Sequence, residues 1–241
     1  RVAAVVPAAL QRAMIAGFAS AQGGPPVEVE VRPLYGDGDL DTLDFIGGPF
    51  IGLLVFFIVY VVTSISFLRE RSAGTLERLM ASPLRRAEIV VGYMLGFLGL
   101  ALVQAIEVLG FGLLGLGLDN AGSAWLLLLV VVLLALVALN LGIFLSTFAR
   151  NEFQAVQFIP LVLAPQILLS GLIVSVASEP GWLQAVSNVL PLTYAVSALR
   201  DVMLRGAGLG SSSVQVELAV LAGFCVLAVV AASLTLRREV A

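Results

Sequence analysis

The chain has 241 residues, of which 60% are hydrophobic and 12% charged, with a mean hydropathy of +1.06 and a net charge of −3. Ordinary soluble domains carry about 25% charged residues, so bulk water is excluded as the main solvent, and so small a net charge with scattered Arg gives no basic face for a nucleic acid. All 13 basic residues are Arg and His is absent, which excludes a phosphate-binding loop of the G-x-x-x-x-G-K-[ST] kind, Ser-His-Asp catalysis and His-based metal sites.

Residues 1–44 are the soluble part. Arg1–Val6 is a short apolar run, Pro7 suits the first turn of a helix reaching Gly17, and Val27 to Arg32 alternates with period two, so strand, helix and strand are expected. A segment this short holds too little core to be stable alone. It reads as the end of a small extracytoplasmic α/β domain; with Arg rather than Met at position 1, the chain reads as a fragment that has lost a preceding part, including a span. Asp37, Asp39, Asp41 and Asp44 then lead to the membrane.

From residue 45 to 241 the pattern predicts an all-α polytopic membrane domain. Apolar runs of about 20 residues or more, enough to cross a hydrocarbon core about 30 Å thick, place spanning helices at 46–67, 89–117, 124–148, 153–172 and 214–236. The second is long enough to tilt or protrude. The third and fourth are joined only by Ala149-Arg150-Asn151-Glu152, which implies an antiparallel hairpin. Segment 68–88 carries five Arg, the 149–152 joint one and the C-terminus two (Arg237, Arg238). The positive-inside rule makes that side, and the C-terminus, cytoplasmic and puts the N-terminal fragment outside. The single Cys225, in the last apolar run, permits no disulfide framework and is read as packing.

Segment 68–88 is the sharpest feature. Leu76, Leu79 and Met80 fall at i, i+3 and i+4, so Thr75–Ala81 can form a two-turn amphipathic helix along the membrane surface, entered through a turn at Gly74. Ser82-Pro83 is expected to cap and start the helix of the second span. A short charged helix between two spans suits the passing of force to a soluble partner, because Glu and Arg heads make charge-assisted bonds across an interface. The plainer alternative is a solvated loop of positive-inside charge. Interleaved Glu70, Glu77 and Glu88 argue against polybasic lipid binding.

The run Thr63-Ser64-Ile65-Ser66-Phe67-Leu68-Arg69-Glu70-Arg71-Ser72-Ala73-Gly74-Thr75-Leu76-Glu77-Arg78-Leu79 resembles the hallmark of type-2 ABC exporter permeases. The likeness extends through Ser82-Pro83, Gly92-Tyr93, Ala149 to Gln154, Pro165-Gln166, Ser170-Gly171 and Leu190 to Tyr194, and is nearest to the multidrug and daunorubicin-exporter branch. The resemblance implies six spans per subunit, two permease copies per pore (a homodimer or a pair with a homologous permease), and cytoplasmic ATP-binding subunits gripping the coupling helix. ATP and Mg would be bound by that partner, and no cofactor by this chain. Arg69, Glu70, Arg71, Gly74, Thr75, Glu77, Arg78 and Arg85 are then the residues expected to couple to the ATPase, and the setting is the inner (plasma) membrane. The departure from the pattern is five spans instead of six, which fits loss of a first span.

Residues 173–205 are read as re-entrant. Ser178-Glu179-Pro180-Gly181 is a turn and Pro191 breaks the apolar run ahead of Tyr194–Leu204, giving two pieces too short to cross. Such half-helices are tolerated only in protein or beside a water-filled cavity, which places them at the outer mouth. A surface loop with interfacial Trp182 and Tyr194 is the bland alternative. Glu107 is read as the only acid well inside a span, one turn from Gln104. A bare carboxylate in hydrocarbon costs at least ~2.5 kcal/mol, so it should face protein or water, as a contact for cationic drugs, a proton carrier, or a group protonated or paired for structure. Asn140, Gln154, Gln157 and Gln166 are more often interhelical hydrogen-bonding residues than ligand contacts.

The substrate-pathway candidates are thus Gln104, Glu107, Asn140, Gln157, Gln166 and Tyr194; no catalytic or metal-ligating residue is assigned. The leading expectation is an ATP-driven export permease for a hydrophobic or amphipathic molecule, drug or lipid-like. A proton-coupled secondary transporter working through Glu107, and a membrane anchor without a pathway, are the alternatives.

Overall fold

The computed structural model describes residues 42–149 and 151–235, and among them the regular structure is entirely helical. The helices are α1 (Thr42–Ser72), α2 (Thr75–Met80), α3 (Arg86–Gly110, continued by a π-helical turn over Phe111–Gly115), α4 (Ala124–Ser146), α5 (Glu152–Leu169), α6 (Gly181–Ser187), α7 (Pro191–Arg205) and α8 (Ser212–Thr235). Five of them, α1, α3, α4, α5 and α8, are long and apolar enough to cross a membrane. They correspond to the five predicted spans. The α/β fragment expected over the first 44 residues lies, except for its last three, outside the described residues, as do Arg150, Arg237 and Arg238.

Several boundaries differ from expectation, and local physics accounts for them. Helix α1 starts at Thr42 rather than 46 and runs to Ser72 rather than 67, with Asp44 in its first turn and Arg69 and Arg71 in its last. Charges of those signs at those ends complement the helix dipole and prolong the helix. Helix α3 does not start at Ser82-Pro83. The Ser82 hydroxyl turns back to the Leu79 carbonyl at 2.5 Å and so closes α2, while Arg85 remains extended (φ −77°, ψ 150°). The helix begins where the Glu88 carboxylate can reach back to accept the Arg85 N–H at 2.8 Å. Helices α4 and α5 follow each other across their short joint, but α5 rests mainly on α1 instead of lying along α4 as a hairpin would.

Helix α4 is the centre of the bundle. Leu127, Val130, Val131, Leu134, Ala135, Ala138, Leu139 and Ile143 have no exposed surface, and α1, α3, α7 and α8 all pack against it. The helices around it are apolar on the outside as well, with Leu114, Leu161 and Leu234 exposed at 90%, 68% and 73%. A surface of that kind is an aggregation hazard in water and a natural boundary with lipid or with another hydrophobic chain.

The bundle has two unlike ends. At one, the end of α1, α2, the start of α3 and the α4–α5 joint converge. At the other, the Asp119 N–H donates to Asp44 Oδ1 at 3.0 Å and the Ala121 N–H to the Met203 carbonyl at 2.9 Å, which ties the α3–α4 loop to α1 and α7. Gly122 makes this approach possible: a Cβ there would sit 2.4 Å from the Val202 carbonyl oxygen. Pro191 occupies the first turn of α7, where its missing N–H is harmless. Helix α7 buries Leu192, Ala195, Val196, Leu199, Val202 and Met203 among α1, α4 and α8. Its 15 residues span about 22 Å. That is short of a hydrocarbon core about 30 Å thick, and α6, with seven residues, is shorter still.

Candidate functional site

The charged end gathers the residues expected to meet a soluble partner. Arg69, Glu70 and Arg71 are consecutive on the last turn of α1. They therefore point about 100° apart, and each finds a different neighbour. Arg69 Nε pairs with Glu152 Oε1 at 2.8 Å, in the first turn of α5. Arg71 Nη1 donates to the Thr147 carbonyl at 2.8 Å and the Ala149 carbonyl at 3.5 Å, filling acceptors that the end of α4 leaves open. Glu70 Oε2 accepts the Tyr93 hydroxyl of α3 at 3.2 Å, and the Tyr93 ring meets Phe67 edge-on at 5.0 Å. One turn of α1 thereby holds α3, α4 and α5.

The chain then reverses at Gly74, whose φ of +73° favours a residue without a side chain. Helix α2 follows over Thr75–Met80, one residue shorter than expected, with Thr75 and Arg78 exposed. The side chain of Glu77 lies outside the described residues. Arg85 is exposed beyond it, engaged through its backbone with Glu88. Beside α2 a groove of about 410 Å³ presents Glu70 and Glu88 among Leu79, Leu84, Ile89 and Phe97. Acid next to apolar surface suits a partner carrying basic and apolar side chains together.

These contacts differ in strength. The Arg69–Glu152 pair is solvent-exposed on both sides, and such pairs contribute about 0–1 kcal/mol. It fixes direction more than stability. The part-buried Arg71 bond to a backbone carbonyl belongs to the stronger class, about 1.5–3 kcal/mol for hydrogen bonds involving a charged group.

Among the described residues, the six expected pathway residues are spread over separate places. Gln104 and Glu107 share a groove of about 480 Å³ between α1 and α3, lined mostly by Leu54, Ile58, Val103 and Phe111. Gln104 is buried with its amide nitrogen unpartnered, and Glu107 is exposed. Asn140, fully buried, donates to the Leu136 carbonyl at 2.7 Å and to Cys225 Sγ at 3.9 Å, joining α4 to α8. Gln157 is exposed on α5. Gln166 Oε1 accepts the Leu192 N–H at 3.2 Å and the Tyr194 hydroxyl donates to the Asn188 carbonyl at 2.9 Å. Both hold the start of α7.

A second acid lies inside a span, nearer its end. Glu217 lies in the second turn of α8 and is only 7% exposed, next to Asp201 and Arg205 of α7. Two signals pointed to it. Position 217 falls within the fifth apolar run, and Asp201 and Arg205 have the i, i+4 spacing of an ion pair; what the linear order hides is that α7 and α8 lie side by side.

Residues 25–204 match the ABC-2 type transporter family. The chain is 33% identical over 214 residues to "ABC transporter G family member 20" of Dictyostelium discoideum, covering 89% of this chain and 29% of that protein. It is 31% identical over 182 residues to "Probable multidrug ABC transporter permease YbhR" of Escherichia coli, covering 76% of this chain and 49% of that one. It is 31% identical over 191 residues to "Inner membrane transport permease YhhJ" of the same species, with 76% and 49% covered. The chain thus spans about half the length of the bacterial relatives and under a third of the Dictyostelium one.

Proposed function

Because the chain belongs to the ABC-2 type transporter family, we propose that it is a permease unit of an ATP-driven exporter, working with a separate cytoplasmic ATP-binding subunit and a second permease copy. The observation that carries this reading is the junction at the charged end. A short exposed helix, α2, is tethered through Gly74 to a turn of α1 whose three charged side chains hold α3, α4 and α5. A push on α2 or Arg78 has a bonded route into α1, α3, α4 and α5. ATP and Mg are held by the partner, and the absence of Lys and His throughout the sequence fits a chain that supplies no nucleotide site of its own.

In this reading α2 faces the cytoplasm of the inner membrane, the end built from α7 and the α3–α4 loop faces outward, and the C-terminus is cytoplasmic, in keeping with the Arg distribution. The cargo is hydrophobic or amphipathic, drug or lipid-like, as the word multidrug in the name of one relative suggests. A proton-driven route through Glu107 is not favoured: the relatives are ABC transporter proteins, and the groove that holds Glu107 has no second titratable side chain to hand a proton on. The test is Glu77→Arg in the assembled transporter. Export should fall about tenfold or more while ATP hydrolysis and the amount of folded complex persist, since a mis-set interfacial charge costs on the order of 1–2 kcal/mol. Undiminished export would remove α2 from the coupling route.

A further inference from the structure

At the end opposite the charged junction a cavity of about 720 Å³ lies among α7, α8 and the segment after α5. Its charged groups are two carboxylates and two guanidinium groups, and three of the four are engaged. Asp201 accepts from Arg205 Nη1 at 2.7 Å and from the Ser213 hydroxyl at 2.8 Å, one bond to each oxygen. Arg200 donates to the Gly171 and Leu172 carbonyls at 2.7 and 3.2 Å and stands 4.4 Å over the Phe45 ring. That leaves Glu217. Ser197 stands beside its carboxyl group, and Oε2 is buried and has no partner, in a side chain whose residue is 93% buried and which lines this cavity.

An unfilled carboxyl oxygen inside an apolar bundle is costly unless a donor fills it, and a positively charged donor fills it most strongly. A metal ion does not fit. Divalent cations take six or more oxygen ligands or a cluster of His, Cys and acids, and no group of three such side chains stands together among the described residues. An ammonium group does fit, since its N–H donors can fill Oε2 and the neighbouring hydroxyls at once. The remaining wall includes Val176, Ala177, Val196 and Val216, which would shelter a hydrocarbon body.

We infer that this cavity is a binding site for an amphipathic amine, its ammonium head on Glu217 and Ser197 and its apolar part against Val176, Val196 and Val216. The site rests on the packing of α7 against α8 alone. It stands or falls separately from the ATP-driven reading, because binding is measured without nucleotide or partner turnover.

The test uses the full-length protein in lipid nanodiscs, with empty nanodiscs as the correction for partition, and two probes of one shape, 4-phenylbutylamine and 4-phenylbutanol. The amine should bind about tenfold or more tighter than the alcohol, as expected for one buried charge-assisted bond. In Glu217→Gln, with an unchanged melting temperature, that preference should shrink to within about twofold, the alcohol being unaffected. Equal binding of the two probes, or a preference that survives Glu217→Gln, overturns the site. Should the variant fail to fold, the wild-type protein decides: saturating amine, and not alcohol, should slow modification of Glu217 by a hydrophobic carbodiimide about fivefold or more, read by peptide mass spectrometry as loss of the unmodified peptide, so that acylurea and amine-derived amide adducts are counted alike. Labelling at the same rate with and without amine overturns the proposal as firmly.

Discussion

The two ends of the bundle use charge in opposite ways. At the junction end, Arg69, Glu70 and Arg71 sit on one turn, reach outward, and are satisfied by Glu152, Tyr93 and two carbonyls of the α4–α5 joint. At the other end, Asp201 and Glu217 are buried, and Glu217 keeps one carboxylate oxygen unfilled. The exposed Arg69–Glu152 pair can break and re-form under a push, because water compensates it, while the part-buried Arg71 and Glu70 bonds keep the helices joined. A buried group without a partner holds its free energy in reserve for whatever fills it. On the proposed reading the junction end passes on motion and the far end takes up a ligand.

The largest effect expected from breaking this contrast comes from glycines. Gly122→Val at the far end would drive a side chain into the Val202 carbonyl, 2.4 Å from the Cβ position. The loop and α7 would have to separate, at several kcal/mol by analogy with overpacked cores. Folded protein should be nearly lost in a detergent-solubilised melting assay. Gly74→Ala at the junction end meets nothing within 4 Å and pays only for its positive φ, about 1–2 kcal/mol. The protein should fold and melt a few degrees lower.

Arg71→Ala comes next. Losing its bonds to the Thr147 and Ala149 carbonyls should cost about 1.5–3 kcal/mol and detach α1 from the α4–α5 joint. Substrate-stimulated ATP hydrolysis in the reconstituted transporter should fall several-fold while basal hydrolysis stays. The smallest effect belongs to the exposed pair. Arg69→Ala, Glu152→Ala and the double variant should yield a coupling energy of at most about 1 kcal/mol in a thermal double-mutant cycle. A larger value would mean that the junction is stiffer and drier than its exposure implies.

The same contrast explains what could be read from the linear order of residues. Spans are legible because length and apolarity report directly on the bilayer, and the i, i+3, i+4 pattern of Leu76, Leu79 and Met80 located α2 to within one residue. The junction was legible as a cluster, since Arg69, Glu70 and Arg71 are adjacent. Its partners were not: Glu152 is 83 positions from Arg69 and Thr147 is 76 from Arg71. The start of α3 was misplaced because Ser82-Pro83 has the residue types of a helix start, yet the Ser82 hydroxyl is spent on Leu79 and Glu88 supplies the bond to the backbone at Arg85. Glu217 is not singled out by the linear order, since it lies near the end of an apolar run with no acid or base one turn away. Only the packing of α7 on α8 puts Ser197 and Asp201 against it.

The central claim is that the exposed helix α2, rather than the far end of the bundle, receives the motion of an ATP-binding subunit. Cysteine cross-linking tests it most directly, in a background where the single Cys225 is replaced by Ser. Arg78→Cys and Leu209→Cys both place a thiol at an exposed position, one at each end. The account predicts that a co-expressed ATP-binding subunit bearing surface thiols is captured through position 78, in a yield that changes when ATP is added, and is not captured through position 209. Capture at 209, or none at 78 in an assembly that still exports its cargo, would contradict it.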